Sequence, residues 1–203
     1  MNIATPYRLP VAAAFFLVVF ASSCTTLNIK NYYHRHRPTL DSIEETFRHA
    51  WQAKPFSIEF TDRSFDRVSI ELITDTLTYI YEYDVGETRL HDTLVKYGYD
   101  PVPVRWLIGR MRRMNCTWID RLDYYGDTSR HSLIYIALWP RTFNRPFVDK
   151  KYYILTYFQQ PQYFDSEGRL LTGRRMHHIR KINAEVYRRI NDKVCYTISD
   201  RFR

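Results

Sequence analysis

Apolar side chains recur at regular spacing along most of the chain, and their period predicts the secondary structure. Residues 39–53 carry apolar positions every three to four residues, as one face of a helix requires. Pro55 then ends the segment, because proline breaks a helix. Three segments with alternating apolar and polar positions follow, which predicts strands at 56–61, 67–74 and 76–83. Such alternation is typical of an antiparallel sheet with one buried face.

The rest of the chain contains the same two periods. Helical spacing predicts further helices at 87–97, 101–114 and 179–191. Strand-like segments lie at 116–125, 133–139, 152–158 and 194–199, with a short one at 169–172 after a turn signal. Within 153–158 nearly every residue is apolar or aromatic, so we expect this strand to lie in the middle of the sheet, covered on both faces.

Grouped strands and grouped helices indicate the fold class. The pattern predicts a single α+β domain with a mainly antiparallel sheet and about four helices. No glycine-rich turn leads from a strand into a helix, so the sequence supports neither a dinucleotide-binding fold nor a P-loop.

The first 24 residues follow a different pattern. Arg8 precedes an apolar run from Leu9 to Ala21, and small residues follow it. The run is shorter than the roughly 20 residues that a membrane-spanning helix needs. A positive charge, a short apolar run and small residues in this order are the layout of a secretory signal.

The segment Ala21-Ser22-Ser23-Cys24 resembles the lipobox of bacterial lipoproteins. The resemblance covers only these first residues. It implies that residues 1–23 are a signal peptide that is removed and that Cys24 is then acylated at its thiol. Residues 24–38 would be a lipidated cysteine and tether, and 39–203 the domain. Ala21 stands where members of the family more often have leucine, which leaves cleavage without lipidation as the alternative.

The resemblance also implies a location. In lipoproteins of some Gram-negative groups, an acidic run just after the cysteine marks export to the outer surface. Residues 25–30 carry no such run. We therefore expect a cell-envelope protein held by its lipid at the outer membrane and facing the periplasm.

The balance of charge bears on partners. The chain of 203 residues has a formal net charge of +8, which suits anionic lipid head groups or another acidic envelope component. Export argues against nucleic acid as a partner. The partners that the sequence predicts are therefore the membrane itself, through the lipid anchor, and an anionic envelope component or another envelope protein. A basic surface that only keeps the protein soluble is the alternative.

Two cysteines remain after Cys24. Because an exported protein meets an oxidising compartment, Cys116 and Cys195 are candidates for one disulfide bond. They are equally candidates for two small buried hydrophobic residues. Their spacing in the sequence does not decide whether the two Cα atoms come within bonding range.

The densest basic region precedes the last predicted strand. Guanidinium groups bind phosphate and carboxylate well, so this region is a candidate anion-binding face, or else the solvated side of a helix. Its members are Arg174, Arg175, Arg180, Lys181, Arg188 and Arg189.

Candidate catalytic residues are few. Cys116 with His91 or His131 as its base would make a nucleophile, and Asp120 with Asp123 would make the carboxylate pair of a glycosidase. Residues three apart in a strand point to opposite faces, which weakens the pair. The sequence predicts no catalytic residue, cofactor or metal site from these groups.

The sequence therefore predicts a lipid-anchored envelope protein that acts as a binding or structural component. Two alternatives stay open. One is an envelope hydrolase that acts on glycan or peptide, and the other is an accessory lipoprotein that docks another envelope protein.

Overall fold

A long helix begins the part of the chain that the structure, a computed structural model, describes. The described residues are 9–125, 130–139, 152–171 and 187–199. Helix α1 spans Leu9–Ala53 and includes Pro38 in its interior. It ends where the sequence predicts, just before Pro55, but it starts long before residue 39. Residues 24–38, interpreted above as a tether, are therefore helical. No glycine interrupts this stretch, and Pro38 alone does not break the helix.

The chain divides into two compact units, Met1–Leu40 and Asp41–Arg203. The first unit consists, in its described residues, of the N-terminal part of α1. The second holds the end of α1, two further helices and the sheet. The elements after α1 are β1 (Phe56–Phe60), β2 (Arg67–Ile73), β3 (Thr78–Asp84), α2 (Thr88–Lys96), α3 (Pro101–Arg113), β4 (Cys116–Tyr125), β5 (Arg130–Leu138), β6 (Tyr152–Phe158), β7 (Arg188–Arg189) and β8 (Val194–Ser199).

The eight strands form one antiparallel sheet in the order β3-β2-β1-β4-β5-β6-β8-β7. The α+β class and the antiparallel sheet are thus confirmed. β1 is an interior strand, the third in this order, because it pairs with β2 on one side and with β4 on the other. Helices α2 and α3 carry the chain from the edge strand β3 back to β4.

The end of the chain differs from the prediction. Residues 188 and 189 form β7, which pairs with β8, so the predicted helix at 179–191 is wrong for its described end. Asn191 is the physical reason, since its side-chain oxygen accepts hydrogen bonds from the backbone N–H groups of Lys193 and Val194 at 2.8 Å and closes a turn. Residues 172–186 lie outside the described residues. The described part of the chain therefore has three helices, where about four were expected.

One sheet face packs against helices. Phe56, Ile58 and Phe60 of β1 lie on this face and are buried. Phe56 contacts Phe47 of α1, with ring centroids 5.2 Å apart, and Tyr99 before α3, with centroids 6.2 Å apart. These contacts fix the end of α1 and the start of α3 next to each other, over β1.

The opposite face carries a second core over the second half of the sheet. Its core is built by Trp118, Leu133, Tyr135, Ala137, Ile154, Phe158 and Cys195, and Leu122, Phe164, Leu170 and Tyr187 pack against it. All seven residues of β6 are buried, which confirms that this strand is covered on both faces. Over β1, β2 and β3 the same face carries polar residues such as Glu59, Glu71 and Glu82.

Candidate functional site

The side chain of the predicted lipidation site and most of the predicted basic face lie outside the described part of the chain. Cys24 belongs to the helical backbone of α1, but its side chain lies outside the described part. Arg174, Arg175, Arg180 and Lys181 also lie outside the described residues.

Of the predicted basic face, Arg188 and Arg189 are described, as the two exposed residues of β7. Arg189 forms an ion pair with Asp192, and its guanidinium lies 5.5 Å from the centre of the Phe164 ring. Successive residues of a strand point to opposite sides. In the described residues, this pair therefore does not form a contiguous basic surface.

The structure does not bring Cys116 and Cys195 together. Both thiols are free and buried. Cys116 begins β4 and Cys195 lies in β8, with β5 and β6 between them. Three strand spacings of about 4.8 Å each separate such positions. The side chains also lie on opposite faces, since Cys195 belongs to the second core and Cys116 pairs with Leu138 next to the helices.

Neither of the two proposed bases serves the candidate nucleophile. Burial raises the pKa of the Cys116 thiol well above its usual value, so it stays protonated at neutral pH. His131 pairs with Tyr124 at the far end of the β4–β5 ladder, about eight residues or some 26 Å along the strand. His91 lies on the exposed side of α2.

The candidate carboxylate pair also diverges, as strand alternation predicts. Asp120 lies on the face of Trp118 and Tyr135, whereas Asp123 lies on the helix face with Arg121. Among the described residues, no group of three or more His, Cys, Asp or Glu side chains can hold a metal ion. The geometry therefore does not form any catalytic site proposed from the sequence.

Asp123 instead belongs to a half-buried charged cluster between α1 and β4. Its carboxylate accepts hydrogen bonds from Arg121 at 3.0 and 3.1 Å and forms an ion pair with Arg130. The Arg121 guanidinium lies 3.9 Å from the centre of the Trp51 ring, which is a close cation–π contact. The cluster ties the last turn of α1 to the sheet.

A pocket of about 460 Å³ lies between the end of α1, the turn after α2 and the start of α3. This volume is in the range of small-molecule sites. Its lining residues are Thr46, His49, Ala50, Ala53, Lys54, Phe56, Gly98, Tyr99, Asp100, Pro103 and Val104. Alanine and glycine at the wall leave room, and the buried Phe56 and Val104 make part of the lining apolar.

Lys54 places a positive charge at the pocket wall. Its ammonium donates a hydrogen bond to the carbonyl of Tyr97 and lies 4.8 Å from the centre of the Tyr99 ring. The Tyr99 hydroxyl is held by the carbonyl oxygens of Pro55 at 2.7 Å and Ile73 at 3.2 Å. Gly98 has φ +71°, and a Cβ there would come within 3.3 Å of the Lys54 ammonium. The positive φ therefore favours glycine at this position.

Asp100 places a negative charge at the same pocket. It caps α3, because its carboxylate accepts a hydrogen bond from the backbone N–H of Val102 at 2.9 Å. The cap uses one of the carboxylate's several acceptor positions. The pocket thus presents an ammonium and a carboxylate beside apolar walls, which suits a small ligand that carries both charges.

Sequence reasoning missed this pocket. Asp100 before Pro101 is a recognisable helix start, and Gly98 is a recognisable helix end. Neither signal shows that the end of α1 lies beside them, since that contact depends on packing between distant segments.

The sheet has a second notable feature at its β3 edge. Tyr79, Tyr81 and Tyr83 form a row of neighbouring rings with centroids 6.4 and 6.2 Å apart. The hydroxyls of Tyr81 and Tyr97 are 2.5 Å apart, and this hydrogen bond raises the pKa of Tyr81 to about 12.

Comparison of the chain with protein-family models, with curated proteins and with solved structures gives no match. Within the described parts of the chain, none of the helices combines the length and the apolar character needed to cross a membrane.

Proposed function

We propose that this chain is a lipid-anchored cell-envelope protein that binds a small zwitterionic ligand, such as an amino acid or a peptide end. The anchor is acylated Cys24, and the location is the periplasmic face of the outer membrane. This part rests on the order Arg8, apolar run and Ala21-Ser22-Ser23-Cys24 in the sequence. The binding role rests on one observation, the pocket that has both Lys54 and Asp100 in its wall.

The ligand class follows from the charges and the shape of the pocket. A carboxylate on the ligand would pair with the Lys54 ammonium, which has hydrogen-bond donors beyond the one used by Tyr97. An ammonium on the ligand would pair with Asp100. Charge-assisted hydrogen bonds are the stronger ones. The apolar part of the ligand would contact Phe56 and Val104.

The hydrolase alternative gains no support from the geometry of the described residues, because Asp120 and Asp123 diverge and neither proposed base serves the buried Cys116. The accessory alternative, a lipoprotein that docks another envelope protein, gains no specific support from the described residues either.

The binding role is tested with three probes of similar size. We expect phenylalanine, which carries both charges, to bind more tightly than phenylpropionate or phenylethylamine, which carry one each. Lys54→Met keeps the apolar stem of the side chain and removes the charge. We expect it to weaken phenylalanine binding at least about tenfold, since a hydrogen bond to a charged group contributes roughly 1.5–3 kcal/mol. Isothermal titration calorimetry measures the change.

Two further variants make the result specific. Asp100→Asn keeps the helix cap, because asparagine caps as well as aspartate, and should remove the preference for phenylalanine over phenylpropionate. Lys193→Met removes an exposed lysine at the β7–β8 turn and should change nothing. Equal affinity of the parent protein and Lys54→Met for phenylalanine, or no binding of any probe at millimolar concentration, would contradict the proposal.

The anchor is tested separately by Cys24→Ala in the full chain. Without the thiol there is no acylation, so we expect the protein to move from the membrane pellet to the soluble fraction after cell disruption. Thr25→Ala, one residue further on, should remain in the pellet. A Cys24→Ala protein that still sediments with membranes would refute the lipid anchor. That result would have no bearing on the proposal that the pocket binds a ligand.

A further inference from the structure

The outer edge of β3 is open in the described part of the chain. β3 is the terminal strand of the sheet and pairs only with β2 among the described residues. The side chain of Ile80 in this strand is 60% exposed, and that of Leu77 just before the strand is 58% exposed. An edge strand of seven residues with exposed apolar side chains is a template for pairing with another strand.

The backbone orientation shows which residues of β3 can pair outward. The amide N–H of Thr74 donates to the carbonyl of Leu77, and that of Val85 donates to the carbonyl of Asp66. Hydrogen-bonded pairs alternate along an antiparallel ladder. The N–H and C=O groups of Tyr79 and Tyr81 therefore point towards β2, and those of Thr78, Ile80 and Glu82 point outward.

We propose that the occupant of this edge is β3 of a second copy of the chain. The two strands pair antiparallel about a two-fold axis at Ile80, so that two eight-stranded sheets continue into one. Ile80 then lies opposite Ile80 of the other copy, and Thr78 lies opposite Glu82. All of these residues have outward backbone groups, so each pair exchanges two hydrogen bonds.

Side-chain complementarity selects this register. Opposite residues of two antiparallel strands carry their side chains on the same face of the sheet. Because side chains alternate between the two faces along a strand, the two-fold axis must lie at a residue of β3 and not between two residues. An axis at Tyr81 would place Ile80 against the Glu82 carboxylate, and an axis at Glu82 would place two carboxylates opposite each other. An axis at Tyr79 would limit the ladder to residues 78–80 of each strand, whereas an axis at Ile80 pairs residues 78–82. Only the axis at Ile80 combines an apolar pair at the centre with no like charges directly opposite.

The tyrosine row supports the same register. With the axis at Ile80, Tyr79 of one copy lies opposite Tyr81 of the other, and cross-strand aromatic pairs stabilise antiparallel sheets. The Tyr97 hydroxyl already holds Tyr81 in place, so little side-chain freedom is lost on pairing. The row of tyrosine rings would continue across the interface. This inference rests on the fold of β3 alone and does not depend on the ligand pocket.

Cysteine cross-linking in the full-length protein in membranes tests both the partner and the register. Opposite residues of a hydrogen-bonded pair have Cα atoms about 5.5 Å apart, within the range that a disulfide bridges. We expect Ile80→Cys to form a covalent dimer with copper-phenanthroline. Glu82→Cys should not, because two residues 82 would lie about 13 Å apart along the strand. The combination of Thr78→Cys with Glu82→Cys in one chain should cross-link again.

The parent chain, whose Cys116 and Cys195 are buried, is the control for background cross-linking. A product of Ile80→Cys with the mass of a different protein would overturn the second copy as occupant. Equal cross-linking of Ile80→Cys and Glu82→Cys, or none at either, would overturn the register and the pairing. As a non-covalent measure, Ile80→Lys puts two ammonium groups opposite each other. We expect it to raise the dissociation constant at least tenfold in analytical ultracentrifugation in detergent, and an unchanged constant would contradict the proposal.

Discussion

Replacing Ile119 by alanine is expected to lower the free energy of unfolding by about 3 kcal/mol, the typical cost of removing a large buried side chain from a packed core. Ile119 is fully buried and lies in the middle strand β4. Its neighbours across the ladders are Ile58 of β1 and Ile136 of β5. The side chain therefore contacts both halves of the sheet, and the cavity cannot collapse without moving one of them.

Urea or guanidinium denaturation at equilibrium measures this change. Ile119→Val removes one methylene and should lower the free energy of unfolding by only about 1 kcal/mol. The valine variant should therefore be more stable than the alanine variant, and the dependence of the free energy on denaturant concentration should be similar for both. An alanine variant that unfolds with the stability of the valine variant would mean that Ile119 is not at the junction of the two halves.

Asp123→Asn is expected to lower the free energy of unfolding by about 2 kcal/mol. It removes the negative charge that pairs with the guanidinium groups of Arg121 and Arg130. The side chains of Asp123 and Arg121 are each only 17% exposed. Asparagine keeps the shape but offers a single neutral acceptor. Arg121, stacked on Trp51, would keep its charge in a half-buried place without a carboxylate partner.

Asp192→Asn is the control variant for Asp123→Asn, because it makes the same substitution in an exposed ion pair. Asp192 also pairs with an arginine, Arg189, but both side chains are more than half exposed. Exposed ion pairs contribute little, so this variant should lose less than about 0.5 kcal/mol. Equal losses at the two positions, measured by the same denaturation, would show that burial of the Asp123 cluster has no energetic role.

Local patterns account for the parts of the fold that sequence reasoning predicted. Alternation places β1, β2 and β3 nearly residue by residue, because one face of this meander is buried and the other is polar. The end of α1 follows from Pro55. The helix predicted at 179–191 failed at its end because apolar residues at helical spacing, up to Ile190, cannot reveal the turn that Asn191 forms.

The candidate site shows the same limit. Strand parity alone places Asp120 and Asp123 on opposite faces, so that prediction needs no tertiary information. The distance between Cys116 and Cys195 depends on strand order, which no local pattern encodes. Lys54 and Asp100 line the same pocket although more than forty residues of chain separate them, and the packing of Phe47, Phe56 and Tyr99 holds their segments side by side.

The position of β1 between β2 and β4 also has a consequence for how the chain folds. β1, β2 and β3 pair through short turns and so need little loop closure. The pairing of Ile58 with Ile119 joins β1 to β4 across about 60 residues, and such non-local contacts slow folding. We therefore expect the β1–β3 meander to form first. The pairing of β4 with the free edge of β1 would then be the slow step. We expect Ile119 to belong to the folding nucleus.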